Sequence, residues 1–171
     1  MLRNFKRSAA SNGTVALVLT GMLVLMSGPT AKAQSEGAGS HEGHQGLQGA
    51  WRLQVTIHDC QTGQVQRTFP ALATFAKGGT LTLTTAGQIP ALFTTQLGVW
   101  RRTDDRSYSA VSEAFVFSPA GAWITTHRFT RAIEIDNDRD EFTDTIKLEI
   151  FDTSRNLIAT GCGTSVARRF E

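Results

Sequence analysis

Two charged residues, Glu113 and Arg131, lie in strand-like runs among large apolar side chains. Glu113 alternates with Phe115, and Arg131 shares the period-two face of Trp123. A buried charge is stable only when it is paired and hydrogen-bonded. If both faces point into the protein, Glu113 and Arg131 form an internal pair that anchors a polar group in an apolar cavity. If both faces point outward, the two residues are ordinary surface charges.

The inward interpretation predicts a ligand pocket that combines these two charges with aromatic side chains from the same part of the chain. Small-molecule sites are mostly apolar and contain a few polar groups that orient the ligand. The predicted pocket residues are Trp100, Tyr108, Glu113, Phe115, Trp123 and Arg131.

Neither of two metal-like patterns meets the requirements of a metal site. His41 and His44 flank Glu42 and Gly43, one residue short of the helical His-Glu-x-x-His of metalloproteases and in a Gly-rich context. Asp136, Asp138 and Asp140 alternate as in a calcium loop. An EF-hand loop requires Gly at its sixth position and Glu at its twelfth, which here are Glu and Lys. We predict no metal and no cofactor.

No nucleophile signature is present either. The sequence contains neither a Gly-x-Ser-x-Gly elbow nor a phosphate-binding glycine loop. An enzyme with Glu113, Tyr108 or His127 as acid or base therefore remains an alternative without a motif to support it.

The segments that carry these residues predict an all-β protein. From Gly49 onward, short runs rich in Thr, Val, Ile and aromatics alternate with period two and are separated by turn clusters such as 136–140. This pattern predicts eight or nine strands with short connections and no helix. Eight strands joined by short links favour a single antiparallel up-and-down β-barrel, with a β-sandwich as the alternative.

The N-terminal residues predict export. A basic stretch with Arg3 and Arg7 precedes the apolar run 15–26, and Ala31-Lys32-Ala33 is typical of a cleavage site, so residues 1–33 are expected to be a signal peptide. Residues 34–48 are polar and Gly-rich, which predicts a flexible tail before a barrel domain at 49–171. The expected location is periplasmic or extracellular, and no membrane association of the mature form is predicted.

Removal of the leader also changes the charge. The chain has 17 Lys and Arg against 15 Asp and Glu, and the leader contains four of the basic residues and no acid. The mature chain would therefore carry 13 basic against 15 acidic residues, a net charge of −2. Such a balance argues against nucleic acid as a partner.

Two cysteines, Cys60 and Cys162, are expected to form a disulfide in an oxidising compartment. In a closed barrel the first and last strands are antiparallel neighbours. Direct opposition of Cys60 and Cys162 would pair Leu53 with Arg169. By parity Arg169 then points inward beside Trp51, and a bulge would give this position to Arg168.

Gly49-Ala50-Trp51 resembles the Gly-x-Trp signature of the lipocalin and calycin superfamily. In that superfamily an Arg at the end of the last strand packs across the Trp, which implies this structural role for Arg169 or Arg168. The helix that follows the last strand in lipocalins and their second and third motifs are missing, so the resemblance is calycin-like. The stretch 159–162 (Ala-Thr-Gly-Cys) also resembles an uncharacterised group of exported bacterial proteins, which implies no activity.

Three functions follow as hypotheses. The first is binding of a small, mainly apolar molecule inside the barrel. The second is binding of a partner, as in small exported barrels that inhibit proteases, and the third is a cyclase- or isomerase-type enzyme. A cavity above ~300 Å³ would favour a ligand or substrate, whereas a filled core would favour a partner. The sequence does not indicate the oligomeric state.

Overall fold

The protein forms one closed barrel of eight antiparallel strands in the computed structural model, which describes residues 46–170. Each strand pairs with the next along the chain, and β1 pairs with β8. The strands are β1 Gly49–His58, β2 Val65–Phe75, β3 Thr80–Thr85, β4 Gln96–Arg102, β5 Ser107–Phe117, β6 Trp123–Ile135, β7 Glu141–Phe151 and β8 Leu157–Arg169. The predicted up-and-down barrel is thereby confirmed, and the sandwich alternative was wrong because every strand has two neighbours.

Outside the strands, the described residues contain one turn of 3-10 helix at Pro90–Leu92. No helix in 46–170 has the length and apolar character needed to cross a membrane. The predicted signal peptide and residues 34–45 of the predicted tail lie outside the described part of the chain.

β1 shows why this sequence forms a barrel wall. Trp51, Leu53 and Val55 are buried, whereas Arg52 and Gln54 between them are exposed. Successive side chains of a strand point to opposite faces, so this alternation places one face in the core and the other in solvent. Inward side chains from the other strands complete the interior, and the largest fully buried ones in the barrel are Trp51, Phe75 and Phe142.

The closed end of the barrel, which we define by Leu47, Trp51 and Arg169, is filled and covered. The Arg169 guanidinium lies 4.1 Å from the centroid of the fully buried Trp51 ring, and Phe142 packs edge-on against the same ring at 4.8 Å. Arg168 points outward and pairs with Glu141 at 2.8 Å. The inward arginine is therefore Arg169, as parity dictates.

The observed register between β1 and β8 differs from the predicted register by two residues. Trp51 lies opposite Arg169, and Cys162 lies opposite His58 rather than Cys60. Cys60 belongs to the turn after β1, and its Cα is 5.2 Å from that of Cys162 in the disulfide. A shift of two residues preserves which side chains point inward, so the inward orientation of Arg169 was predicted from a wrong pairing.

The predicted tail extends too far into the domain. Leu47 is fully buried, and its carbonyl accepts a hydrogen bond from Trp51 Nε1 at 2.9 Å. The carbonyls of Gly46 and Gln48 accept from Arg169 Nη2 and Nη1 at 2.9 and 2.5 Å. Residues 46–48 therefore belong to the barrel domain and cover its closed end. The polar composition of this stretch did not indicate that its backbone carbonyls accept hydrogen bonds from a buried guanidinium.

Candidate functional site

A small cavity lies inside the barrel at the end opposite Trp51, which we call the disulfide end because Cys162 lines it. Its free volume is about 60 Å³. The walls are mainly apolar and come from every strand except β5; their apolar side chains include Val55, Ile57, Phe69, Leu83, Phe129 and Leu148.

The cavity exists partly because β8 contributes two residues without side chains, Gly161 and Gly163. A Cβ at Gly163 would lie 3.0 Å from the Thr56 carbonyl oxygen, so this position tolerates little more than hydrogen. The three atoms nearest to a Cβ at Gly161 would all belong to Leu148, the closest at an ordinary 3.4 Å. A side chain at 161 can therefore be accommodated, at the expense of cavity volume.

A buried ion pair lies along the cavity wall. Arg131 on β6, 3 % exposed, donates from Nη1 to Asp144 Oδ2 on β7 at 2.5 Å. The other Asp144 oxygen accepts from the Ser165 hydroxyl on β8 at 2.6 Å. Both oxygens of the carboxylate thus have donors, which is the condition under which a buried pair is tolerated.

One hydrogen-bond donor of the ion pair has no acceptor. Arg131 Nε is buried and donates to no protein group among residues 46–170. A buried donor without an acceptor costs about 1–3 kcal/mol. Arg131 lines the cavity, so an acceptor that reached Nε from the cavity would remove this penalty.

Gln96 on β4 adds a second buried polar group to the cavity wall. Its Oε1 accepts a hydrogen bond from the Ser112 hydroxyl at 3.0 Å. The Ser112 hydroxyl occupies one of the two acceptor positions of the amide oxygen, and the amide NH₂ carries two donors that can serve a ligand.

His127 lies at the same end of the barrel and lines the cavity. Its ring packs edge-on against Phe93 at 5.7 Å and next to Phe129 at 6.3 Å. Burial lowers the pKa of His127 below its ordinary value of 6.5, because the charged ring would lose its hydration. The imidazole is therefore mainly neutral at pH 7.

Of the six predicted pocket residues, Arg131 alone lines this cavity. Trp100 and Tyr108 point inward but lie toward the closed end, with Trp100 against Phe75 at 6.1 Å. Their rings pack the core there.

Glu113, Phe115 and Trp123 lie on the outer surface, so the internal pair of Glu113 with Arg131 does not form. Glu113 pairs instead with Arg128 on the outer face of β6, at 2.7 Å. On β5 the inward residues have even numbers, such as Ser112, which places Glu113 and Phe115 outside. A register shift in the β5–β6 pairing separates Trp123 from the rest of β6, and such a bulge reverses the face of the residues beyond it.

The residues missed by the sequence reasoning are the partners of Arg131 and the small residues that leave room. Asp144 carried a signal, because it shares its face with Phe142 and Ile146 in the same way that Arg131 shares one with Ile133. Gln96 and the two glycines of β8 carried none, since a polar or small residue in a strand is usually on the outer face.

The candidate acid–base residues are not brought together. Glu113 is outside the barrel, Tyr108 packs near the closed end, and His127 lines the cavity. Within the described ranges no group of three His, Cys, Asp or Glu side chains is placed to hold a metal. The Asp136 carboxylate accepts backbone hydrogen bonds from Asp140 and Glu141, and so closes its own turn.

Together these features describe a closed eight-stranded antiparallel barrel, consistent with a calycin-like fold, with a small lined cavity at one end. No protein-family model matches the chain, and no curated protein matches it in sequence.

Proposed function

We propose that this calycin-like barrel is a binding protein that takes one end of a small, mainly apolar molecule into the cavity at the disulfide end. The observation that carries the proposal is the buried Arg131 on the wall of a mainly apolar cavity, with an Nε donor that has no acceptor among residues 46–170. Apolar walls with a few convergent polar groups are the usual composition of a small-molecule site.

The volume limits what the cavity can hold. At ~10–15 Å³ per water on this scale, about 60 Å³ corresponds to roughly four to six water molecules. Pockets that enclose a whole drug-sized ligand measure ~300–1,000 Å³. The ligand is therefore a very small molecule, or a longer one whose end enters while the rest remains outside the barrel.

The proposal is tested by blocking the cavity at Gly161. Three probes of matched branched shape are titrated into the protein and followed by amide NMR shifts: methyl isopropyl ketone, isobutyrate and 2,3-dimethylbutane. We expect saturable shifts at cavity residues such as Gly163 and Leu148 with at least one probe. Gly161→Val should abolish them, because its side chain occupies the cavity.

The matched control is Thr160→Val, which places the same side chain on the exposed outer face one residue earlier. It should leave the titration unchanged. If none of the three probes gives saturable shifts, or if Gly161→Val binds them as well as the unaltered protein, the cavity is not a binding site.

We also propose that the protein is exported, to the periplasm or beyond the cell. The leader-like pattern of residues 1–33 and a disulfide that requires an oxidising compartment support this. N-terminal sequencing of the protein from its native source should start at Gln34. A chain found intact from Met1 in that material would contradict the proposal.

A second candidate function, self-association, is favoured by the outer face of β4 and β5. Leu97, Val99 and Val111 are exposed there side by side, and apolar surface of this kind often marks an interface. The surface is bordered by Glu113 and Arg128, so it presents both charges. A second copy of the chain is the partner that fits, since about a two-fold axis the same apolar residues of both copies meet, and the paired Glu113 and Arg128 add no net charge that would repel the copy.

Sedimentation equilibrium tests this candidate. The unaltered protein should associate at high concentration, and Val99→Lys should be monomeric over the same range. A protein that is monomeric at all concentrations would exclude self-association through this surface.

A further inference from the structure

Arg131 and Gln96 line the cavity, and the hydrogen bonds that they already make decide which groups they can offer to a ligand. Asp144, behind Arg131, accepts from both Arg131 and Ser165, so each of its oxygens has a described donor. Arg131 Nε has no acceptor among residues 46–170, and the Gln96 oxygen is used by the Ser112 hydroxyl. Arg131 has donors only, and Gln96 has two amide donors against one remaining acceptor position, so the capacity left is mainly donor capacity, which calls for an acceptor on the ligand.

The charges of the inner cavity balance. Arg131 and Asp144 are in direct contact and cancel each other, and Gln96 and Ser112 are neutral. A carboxylate that approached Arg131 would be a second anion on a guanidinium already paired with Asp144, in a site where charges are weakly screened. A neutral acceptor avoids both this repulsion and the desolvation of an ion.

Two further titratable groups line the cavity, Arg67 and His127. Arg67 is exposed at the rim, where its Nη1 donates to the Gly87 carbonyl at 2.9 Å and its guanidinium lies over the Phe69 ring. Its charge is in contact with solvent and therefore acts weakly on a group held further in. Burial favours the uncharged His127 ring.

We propose that the ligand enters the cavity with a neutral carbonyl group first, and that this carbonyl oxygen accepts hydrogen bonds from Arg131 Nε and the Gln96 amide while its alkyl substituents contact the apolar wall. This inference rests on the proposed binding function. It specifies the chemical class of the part that is buried, a ketone, ester or amide, in preference to a carboxylate or a hydrocarbon.

The three probes named above separate these classes because they have the same branched shape and the same number of non-hydrogen atoms. Methyl isopropyl ketone should bind at least tenfold more tightly than 2,3-dimethylbutane and at least tenfold more tightly than isobutyrate. Equal affinities for the three, or tightest binding of the hydrocarbon, would show that the donors are not used. Tightest binding of isobutyrate would show an anion site and overturn the inference.

Variants test which side chain is responsible for the preference for the ketone over the hydrocarbon. Arg131→Lys keeps a cation for Asp144 but has no donor at the position of Nε, so the ketone should lose about tenfold in affinity and 2,3-dimethylbutane should not. Gln96→Leu should weaken the ketone alone in the same way, and it leaves the ion pair in place. Arg128→Lys, on the outer face of the same strand as Arg131, is the matched control and should change neither affinity.

The failure of this inference can be distinguished from the failure of the proposed function. If the cavity is not a binding site, no probe binds in a manner sensitive to Gly161→Val. If the cavity binds but the carbonyl preference is wrong, Gly161→Val still abolishes binding, while the ranking of the probes or the effect of Arg131→Lys differs from the expectation. Thermal unfolding of each variant identifies those that fail to fold, and Gln96→Leu keeps the inference testable if Arg131→Lys is one of them.

Discussion

Arg169 connects three separate parts of the chain at the closed end of the barrel. Besides stacking on Trp51, it donates to the carbonyls of Gly46 and Gln48 before β1 and to that of Arg139 in the β6–β7 turn. Gly49 is required beside it, since φ is +125° there and a Cβ would lie 2.7 Å from Arg169 Nη1. These contacts give a physical reason for the glycine in the Gly-x-Trp pattern of this chain.

Removal of the Trp51 ring or of the Arg169 guanidinium should destabilise the barrel. Trp51→Ala should cost ~3–5 kcal/mol in the free energy of unfolding, as for other large-to-small changes in a core. Arg169→Ala should cost less, and a double-mutant cycle in urea denaturation should show that the two effects are not additive. The control Arg168→Ala removes an exposed arginine and should change stability by no more than ~0.5 kcal/mol. Additive effects of Trp51→Ala and Arg169→Ala would contradict the stacking.

His127 should make stability depend on pH in the weakly acidic range. Its pKa is lowered in the folded protein and near 6.5 in the unfolded chain, so the unfolded state binds more protons between these two values. Stability is therefore complete above about 6.5, decreases as the pH falls below it, and levels off below the folded pKa. Urea midpoints on both sides of 6.5 measure this slope. His127→Gln should reduce this slope, and an unchanged slope in His127→Gln would exclude His127 as the cause.

Two neighbouring strands depart from the usual pattern in which large apolar side chains point inward and polar ones point outward. On β4, Leu97 and Val99 are exposed while Gln96 is buried, and on β5 the small residues Ala110 and Ser112 point inward. The interior is already occupied by large rings such as Phe75 and Phe142 from other strands, so small residues complete it. Apart from Trp100 and Tyr108 toward the closed end, the larger apolar residues of these two strands are then left for the outer face.

A pair of identical substitutions tests these orientations. Leu83→Ala removes an inward side chain of β3 that is 2 % exposed, and should cost ~2–5 kcal/mol. Leu97→Ala removes an outward one of β4 that is 65 % exposed, and should cost no more than ~0.5 kcal/mol. Chemical denaturation compares them directly. Similar losses from the two variants would mean that the faces of β4 are assigned wrongly or that Leu97 is covered by another molecule.

This departure from the usual pattern also explains what could and could not be predicted from the sequence. The regular alternation of β1 and the short links between strands were enough for a closed barrel, and parity alone placed Arg169 inside. On β5 the apolar face was assumed to be the inner one, which put Glu113 and Phe115 in the pocket. Hydrophobicity identifies a face of a strand, but packing volume across the barrel decides whether it points inward. For the site, Arg131 was predicted and its partner Asp144 was not.

For the molecule as a whole, closure depends on the pairing of β1 with β8, and the disulfide strengthens this seam at one end. Cys60 and Cys162 are 102 residues apart, and a cross-link over such a loop restricts the unfolded chain far more than the folded one. The loop-entropy model gives ~4–5 kcal/mol for this length, and measured effects are often smaller.

Reduction of the disulfide should therefore lower the midpoint of urea denaturation, by an amount equivalent to a loss of ~2–5 kcal/mol in the free energy of unfolding. The Cys60→Ser/Cys162→Ser variant should have the stability of the reduced protein and should not respond to reductant, which makes it the control for other effects of the reagent. Equal midpoints with and without reductant in the unaltered protein would show that the bond contributes nothing to stability.

The position of the disulfide has a further consequence, for proteolysis. All seven turns between consecutive strands lie at least partly between Cys60 and Cys162. A protease that cuts the chain once in any of them, beyond Cys60, leaves two pieces still joined by a covalent bond. The strands on either side of the cut also remain paired with their other neighbours. A nicked molecule should therefore migrate as one chain on a denaturing gel until it is reduced, and should keep its barrel long after the backbone is no longer continuous.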